Sequence, residues 1–101
     1  MTTCKLLFAA IAIAGLAASQ TVSAADAGGK IIAAQCNGCH GFEGASKGAV
    51  PALKGKPAIY LSESMKEFKS DKRKGTIMNR IAKGYSDNEL DNVAKYYSGL
   101  K

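Results

Sequence analysis

The sequence predicts an all-α domain of three to five helices. Three observations predict it: apolar residues recur at helical spacing, no stretch alternates apolar and polar as a half-buried strand does, and glycine, proline and capping residues cut the chain into short segments. The 101 residues allow one small domain.

A leading segment stands apart from that domain. Residues 1–25, MTTCKLLFAAIAIAGLAASQTVSAA, carry Lys5, an apolar run from Leu6 to Ala18 and a tail of small residues. That is the three-part layout of a secretory signal peptide. Val22-Ser23-Ala24 and Ser23-Ala24-Ala25 both satisfy the small-x-small cleavage rule, so the mature chain is expected to begin at Ala25 or Asp26 and to form one domain over 26–101. The apolar run is shorter than the ~20 residues of a membrane span, and no stable membrane insertion is expected after cleavage. Cys4 precedes the apolar run rather than following it, so it is read as having no role at a lipid-modified processing site.

The mature elements follow in order. Asp26 can cap a first helix, which Ile31, Ile32, Ala34 and Gln35 carry to the cysteines before Gly38 and Gly41 break it. Residues 41–56 are rich in Gly, Lys and Ala, contain Pro51 and read as a loop. Pro57 suits the first turn of a second helix. Its core face is Leu61, Met65 and Phe68, and it should end in the charged run at 70–75. Residues 76–84, TIMNRIAKG, read as a loop followed by a short helix. Ser86-Asp87-Asn88-Glu89 is a capping box that opens a last helix with Leu90, Val93, Ala94 and Tyr97 on one face and Gly99 at its end.

Charge and core size narrow the function. Fourteen Lys and Arg oppose eight Asp and Glu, a formal net charge of +6. Loss of Lys5 with the leader leaves +5. Nucleic-acid binding is set aside, because an exported chain with no matching fold signature does not meet nucleic acid. The large apolar side chains of the mature region are few, among them Ile31, Ile32, Leu53, Ile59, Leu61, Met65, Phe68, Ile77, Ile81, Leu90 and Val93, with scattered alanines. A core of this size supplies only about 3–5 kcal/mol and calls for a staple. One short-loop disulfide would help, and a large buried cofactor would help more.

The stretch QCNGCHGF, residues 35–42, offers that staple. Export implies an oxidising compartment, where a pair of cysteines seldom stays as free thiols. Cys36 and Cys39 are the only cysteines after the leader and His40 is the only histidine. A structural zinc site wants four Cys or His ligands and an iron–sulfur cluster usually four cysteines, so both lack donors. A thioredoxin-like dithiol wants its pair at a helix N-terminus beside a βαβ unit, whereas this pair ends a helix with no strand before it. A plain disulfide stays open but leaves His40 without a part. The haem reading uses all three residues: the C-x-x-C-H thiols form thioethers with the two vinyl groups, and His40 turns its imidazole to the iron.

A haem held by His40 has a sixth position, and Met/His ligation is the arrangement of cytochromes c. Met65 sits on the core stripe of the second helix. Met78 lies in the segment between two helices, where a loop can fold back over the far face of the ring, and is the candidate ligand.

Several separated motifs, in order, resemble a bacterial class I cytochrome c over essentially the whole mature chain. They are CNGCH, VPALKGKPAIYL at 50–61, the charged turn at 70–75, TIMNRIAKGYSDNEL at 76–90 and VAKYY at 93–97. The resemblance implies a small class I cytochrome c fold wrapped around one covalently bound haem c. It also implies Cys36 and Cys39 as the attachment points, His40 and Met78 as the iron ligands, and the Pro51 carbonyl as acceptor for the other His40 nitrogen, a contact that orients the ring and tunes its basicity. The terminal helices would cross with Gly29 close to Tyr96 or Tyr97.

Within that class, TIMNRIAKGYSD looks most like the haem-binding subunits of flavocytochrome c sulfide dehydrogenases. The single CxxCH departs from the two haem domains of many such subunits. With both axial positions filled the iron suits one-electron transfer rather than bond making, so the chain is read as an electron-transfer protein of the periplasm, not an enzyme in itself. The donor would be a flavoprotein subunit carrying FAD, and the acceptor another cytochrome or an oxidase. The alternative is a free monohaem carrier shuttling between periplasmic or membrane redox complexes. Lys47, Lys54, Lys56, Lys66, Lys69, Lys72, Arg73, Lys74 and Lys83 are read either as ordinary solvated faces or as a basic rim that steers an acidic partner.

Overall fold

The computed structural model describes residues 23–101, with Gly15 alone before them. Lys5, Cys4 and the apolar run of the expected leader lie outside the described residues. Among the described residues the chain forms α1 (Ala24–His40), a 3-10 turn (Phe42–Gly44), α2 (Ala58–Lys69), α3 (Met78–Ala82) and α4 (Asp87–Ser98), with no strand. No helix among them is long and apolar enough to cross a membrane.

Each helix follows from its sequence, with two corrections in α1. Ser23, not Asp26, is the cap: its hydroxyl accepts from the Asp26 amide at 3.2 Å, and Asp26 sits in the first turn, where a carboxylate favours the positive end of the helix. Gly38 does not break the helix, which runs on to His40 and stops at Gly41. A glycine inside a helix costs about 1 kcal/mol, a deficit that tertiary packing of the same helix can outweigh.

Pro57 is the residue just before α2 rather than within its first turn, and the helix ends at Lys69 as the charged run begins. The α4 capping box is present in both directions, Glu89 amide to Ser86 hydroxyl at 3.1 Å and Ser86 amide to Glu89 carboxylate at 2.9 Å. Gly99 closes α4.

The core forms where α1, α2 and α4 meet. Ile32 and Ala33 from α1, Leu61 from α2, and Val93, Ala94 and Tyr97 from α4 make one buried cluster, against which Cys36, Leu53, Tyr85, Tyr96 and Leu100 pack. Leu90 and Ala82 are fully covered as well. Ile31, Ile59 and Ile77 stand on the surface at 68, 70 and 58 % exposure, so three of the few large aliphatic side chains add little to this core. Met65 and Phe68 are half-buried on the face of α2 that Leu61 leads.

The close approach of α1 and α4 depends on Gly29. A Cβ there would lie 2.5 Å from the Asn92 carbonyl oxygen and 3.4 Å from Tyr96 Cβ. Backbone of α4 occupies the space a side chain would need, so the terminal helices touch along their main chains. Tyr96, rather than Tyr97, is the tyrosine on that side.

Candidate functional site

The last turn of α1 carries Cys36, Cys39 and His40 at positions i, i+3 and i+4. Because the helix continues through Gly38, this spacing puts all three on one side of the turn. Had the helix broken at Gly38, the three side chains would not share a face.

His40 is buried at 8 % exposure, and its Nδ1 lies 2.6 Å from the Pro51 carbonyl oxygen. A carbonyl only accepts, so Nδ1 is the protonated nitrogen and donates. Nε2 is then the nitrogen able to meet a metal.

The loop brings Pro51 back across eleven positions by specific contacts. Gly41 ends α1 at φ 86°, and the Ser46 amide donates to the His40 carbonyl at 2.8 Å. Gly44 has φ 68°, a left-handed conformation that favours glycine, and a Cβ there would strike the Tyr97 ring at 2.6 Å. Its carbonyl accepts from the Leu53 amide at 2.7 Å and the Lys54 amide at 3.2 Å. The loop is therefore seated on Tyr97 at one end and folded back beside His40 at the other.

Tyr97 also ties α4 to the cysteine turn. Its hydroxyl donates toward Asn37 Oδ1 at 2.6 Å and the Ala33 carbonyl at 3.0 Å. Burial raises the Tyr97 phenol far above its ordinary pKa, so it remains a neutral donor. Burial likewise pushes the Cys36 thiol up, opposed by hydrogen bonding with Tyr97. Cys39 is exposed, and Cys36 and Cys39 are not joined to each other as a disulfide. A raised pKa at the C-terminal end of a helix is the reverse of what an activated redox dithiol needs.

Met78 is the first residue of α3, not part of the preceding loop, and is half-buried. The segment 76–84 is, as expected, a lead-in followed by a short helix, and Met78 lies in it between α2 and α4, with Ile77 the last residue before α3. The fold brings Pro51 to His40, and Met78 enters on a separate element. Three of the exposed large apolar side chains are near neighbours in sequence of these residues: Phe42 after His40, Val50 before Pro51 and Ile77 before Met78.

The basic surface is partly neutralised. Lys54, Lys66, Lys69 and Lys83 pair with Glu43, Asp91, Asp87 and Asp71 at 2.6–3.0 Å. Arg73 donates to Ser64 at 2.7 Å and lies over the Phe68 ring. Among the nine basic residues singled out from sequence, Lys47, Lys56, Lys72, Arg73 and Lys74 make none of the described ion pairs, so the positive surface is neutralised only in part.

Sequence reasoning missed Gly44, Asn37 and Asn79 as positioning residues. Asn79 follows Met78, and its side-chain amide makes three hydrogen bonds to the preceding turn. A short polar side chain in the first turn of a predicted helix was the available signal, since Asn often bonds nearby backbone.

A family model described as Cytochrome c matches residues 25–101. The chain belongs to the cytochrome c family. It carries covalently bound haem c, one per chain, and transfers electrons without being an enzyme in itself.

Among curated proteins, this cytochrome is 38% identical to a "cytochrome subunit of sulfide dehydrogenase" from Chlorobaculum tepidum, over 71% of the chain and 66% of that protein. It is 37% identical to a "thiosulfate dehydrogenase electron acceptor" from Thiomonas intermedia, over 68% of the chain and 33% of that protein. A cytochrome c-553 from Nitratidesulfovibrio vulgaris is 30% identical over 95% of the chain and 99% of its own length. The aligned region thus spans just under two thirds of the sulfide dehydrogenase subunit, a third of the thiosulfate protein and nearly all of the cytochrome c-553.

Proposed function

We propose that this cytochrome is the haem subunit of a flavoprotein sulfide dehydrogenase of the periplasm, passing single electrons from a flavin partner to another cytochrome or an oxidase. Likeness to the sulfide dehydrogenase subunit supports the partner class. Export rests on residues 1–25, whose removal would leave a mature chain from Ala25 or Asp26 and take away the Ser23 cap.

The observation that carries the site is the His40 to Pro51 hydrogen bond. It holds the imidazole in one tautomer and orientation and leaves Nε2 for the iron. In this reading Cys36 and Cys39 attach the ring, His40 and Met78 are the axial ligands, and the Pro51 carbonyl positions His40. The donor set supports the assignment: two cysteine side chains and an oriented imidazole share one side of a helical turn, and Phe42, Val50 and Ile77 offer exposed apolar surface that could line an apolar ring.

The haem, when bound, supplies reversible one-electron chemistry at iron. The chain's own residues then hold the ligands still. Pro51 keeps His40 from rotating, Tyr97 braces the turn that bears the cysteines, and the α1–α4 contact at Gly29 fixes that turn relative to the rest of the fold.

Intact mass of the protein exported by a host with haem-attachment machinery tests processing and attachment together. A mass equal to residues 25 or 26 to 101 plus one haem supports the reading, and a bare chain less two hydrogens overturns it. In the loaded protein, Met78→Ala should keep the haem, lower the potential and open the iron to added ligands. An unchanged potential with a closed iron would remove Met78 from the ligand set.

The free carrier is the second reading, favoured by a chain that aligns with nearly the whole of a single cytochrome c-553. Purification from the source cells separates the two. A complex with equal haem and flavin supports the dehydrogenase subunit, and a flavin-free monomer supports the carrier.

A further inference from the structure

One side chain makes three of the hydrogen bonds that gather the turn delivering Met78. The Asn79 amide accepts from the Gly75 amide at 2.8 Å through Oδ1, and donates through Nδ2 to the Phe68 carbonyl at 3.0 Å and the Arg73 carbonyl at 2.7 Å. One oxygen facing an N–H and one NH₂ facing two carbonyls settle the orientation of the amide. These three bonds link the end of α2, the charged turn and the start of α3 across eleven positions.

Gly75 joins this clamp directly to Met78. A Cβ on Gly75 would lie 3.3 Å from Met78 Cβ and 2.8 Å from the Phe68 ring. The root of the Met78 side chain is thus packed on backbone that Asn79 holds.

The turn has other ties, since the Lys72 and Arg73 amides donate to the Glu67 carbonyl at 3.0 and 3.2 Å, Arg73 donates to Ser64 at 2.7 Å and Lys83 pairs with Asp71 at 2.6 Å, but none of these reaches Gly75 or Met78. α3 has only five residues, and its capping residue Ile77 makes no side-chain cap. A helix this short has no independent stability, so its place is set by what ties it to neighbours.

We propose that Asn79 is a positioning residue for Met78: its three-way amide clamp sets the turn from which the methionine reaches the iron. This rests on Met78 being the sixth ligand. Asn79 itself touches no ligand atom of the iron. Its effect is on how long Met78 stays bound, because loosening the 70–77 turn lets the residue swing away with it. Aspartate is no substitute: it keeps an acceptor for Gly75 but sets a second carboxylate oxygen against two carbonyls, where no donor remains.

The test uses the haem-loaded, ferric protein and imidazole as the competing ligand. Five proteins are compared: wild type, Asn79→Ala, Asn79→Asp, Met78→Ala and Ser86→Ala, the last losing the α4 cap away from this turn. The readouts are imidazole affinity and the weak red-end absorption band that thioether ligation gives ferric haem. Each neutral hydrogen bond lost shifts a local equilibrium by about two- to tenfold, so Asn79→Ala should bind imidazole about tenfold or more tightly than wild type, and Asn79→Asp should do the same. The red band should persist in Asn79→Ala without imidazole and weaken on warming below the unfolding transition.

Ser86→Ala should match wild type in both readouts although its stability falls. If Asn79→Ala binds imidazole as weakly as wild type while Met78→Ala binds it tightly and lacks the band, the clamp role is wrong and the ligand assignment stands. Met78→Ala with the band intact overturns both. Equal gains in Asn79→Ala and Ser86→Ala reduce Asn79 to a general stabilising residue and overturn the proposal.

Discussion

His40 donates its Nδ1–H to the main-chain carbonyl of Pro51 at 2.6 Å, so the partner that orients the only histidine is a backbone atom. Replacing Pro51 therefore leaves the acceptor in place. Pro51→Ala is expected to keep attached haem and to change the potential far less than Met78→Ala does. Stability should fall by about 1 kcal/mol at most, through the greater freedom of the unfolded loop. Redox titration and urea unfolding of the loaded variant check both parts.

The α1–α4 crossing makes a sharper prediction at Gly29. A Cβ there would sit 2.5 Å from the Asn92 carbonyl oxygen, and backbone cannot turn aside as a flexible side chain can. Gly29→Ala gains about 1 kcal/mol in helix propensity, and overpacking costs about 1–3 kcal/mol. The net change should be destabilising, read as a lower urea midpoint in the loaded protein with its visible spectrum unchanged.

Tyr97→Phe removes a buried hydroxyl that serves both Asn37 and Ala33 and keeps the ring that seats Gly44. A hydrogen bond of this kind contributes about 0.5–1.5 kcal/mol, and the abandoned Asn37 oxygen adds to the cost if it stays dry. A loss of about 1–2 kcal/mol is expected, without loss of haem. Thermal melting measured on the visible absorption of the loaded variant checks this.

Acid should weaken one surface network. The Asp91 carboxyl is held below the ordinary carboxylate range by hydrogen bonds from Lys66 first and Ser62 second, against a smaller opposing effect of burial. A folded pKa below the unfolded one, about 3.9 for a free aspartate, stabilises the protein above that value. The contribution disappears as pH falls through the lower folded value. Asp91→Asn should therefore lower the urea midpoint slightly at pH 7, and by nothing at the acid end of the transition. The effect is small, since Lys66 and Asp91 are 39 and 44 % exposed and solvent screens the pair.

Local signals placed most of the helices. The Ser86 and Glu89 pair marks the start of α4, and the run Leu90, Val93, Ala94 and Tyr97 gives a face that is buried in full. The charged run after Lys69 marks the end of α2. Errors arose where neighbours in space override local preference. Gly38 reads as a breaker because glycine disfavours helix by itself, yet α1 continues through it. Ile31, Ile59 and Ile77 read as core because they are apolar, yet each faces outward.

The residue types of the site and their chemistry were set by sequence alone. CNGCH, one histidine and a late methionine specify which atoms can attach and ligate a haem, because thiol, imidazole and thioether reactivity belong to the side chains themselves. Tertiary structure decided where those atoms stand. Continuation of α1 puts Cys36, Cys39 and His40 on one side of a turn, Gly44 on Tyr97 returns the Pro51 carbonyl to His40, and Asn79 ties Met78 to the end of α2. The second and third of these depend on contacts between residues eleven to fifty-three positions apart, which local propensity does not encode and only packing of the folded chain supplies.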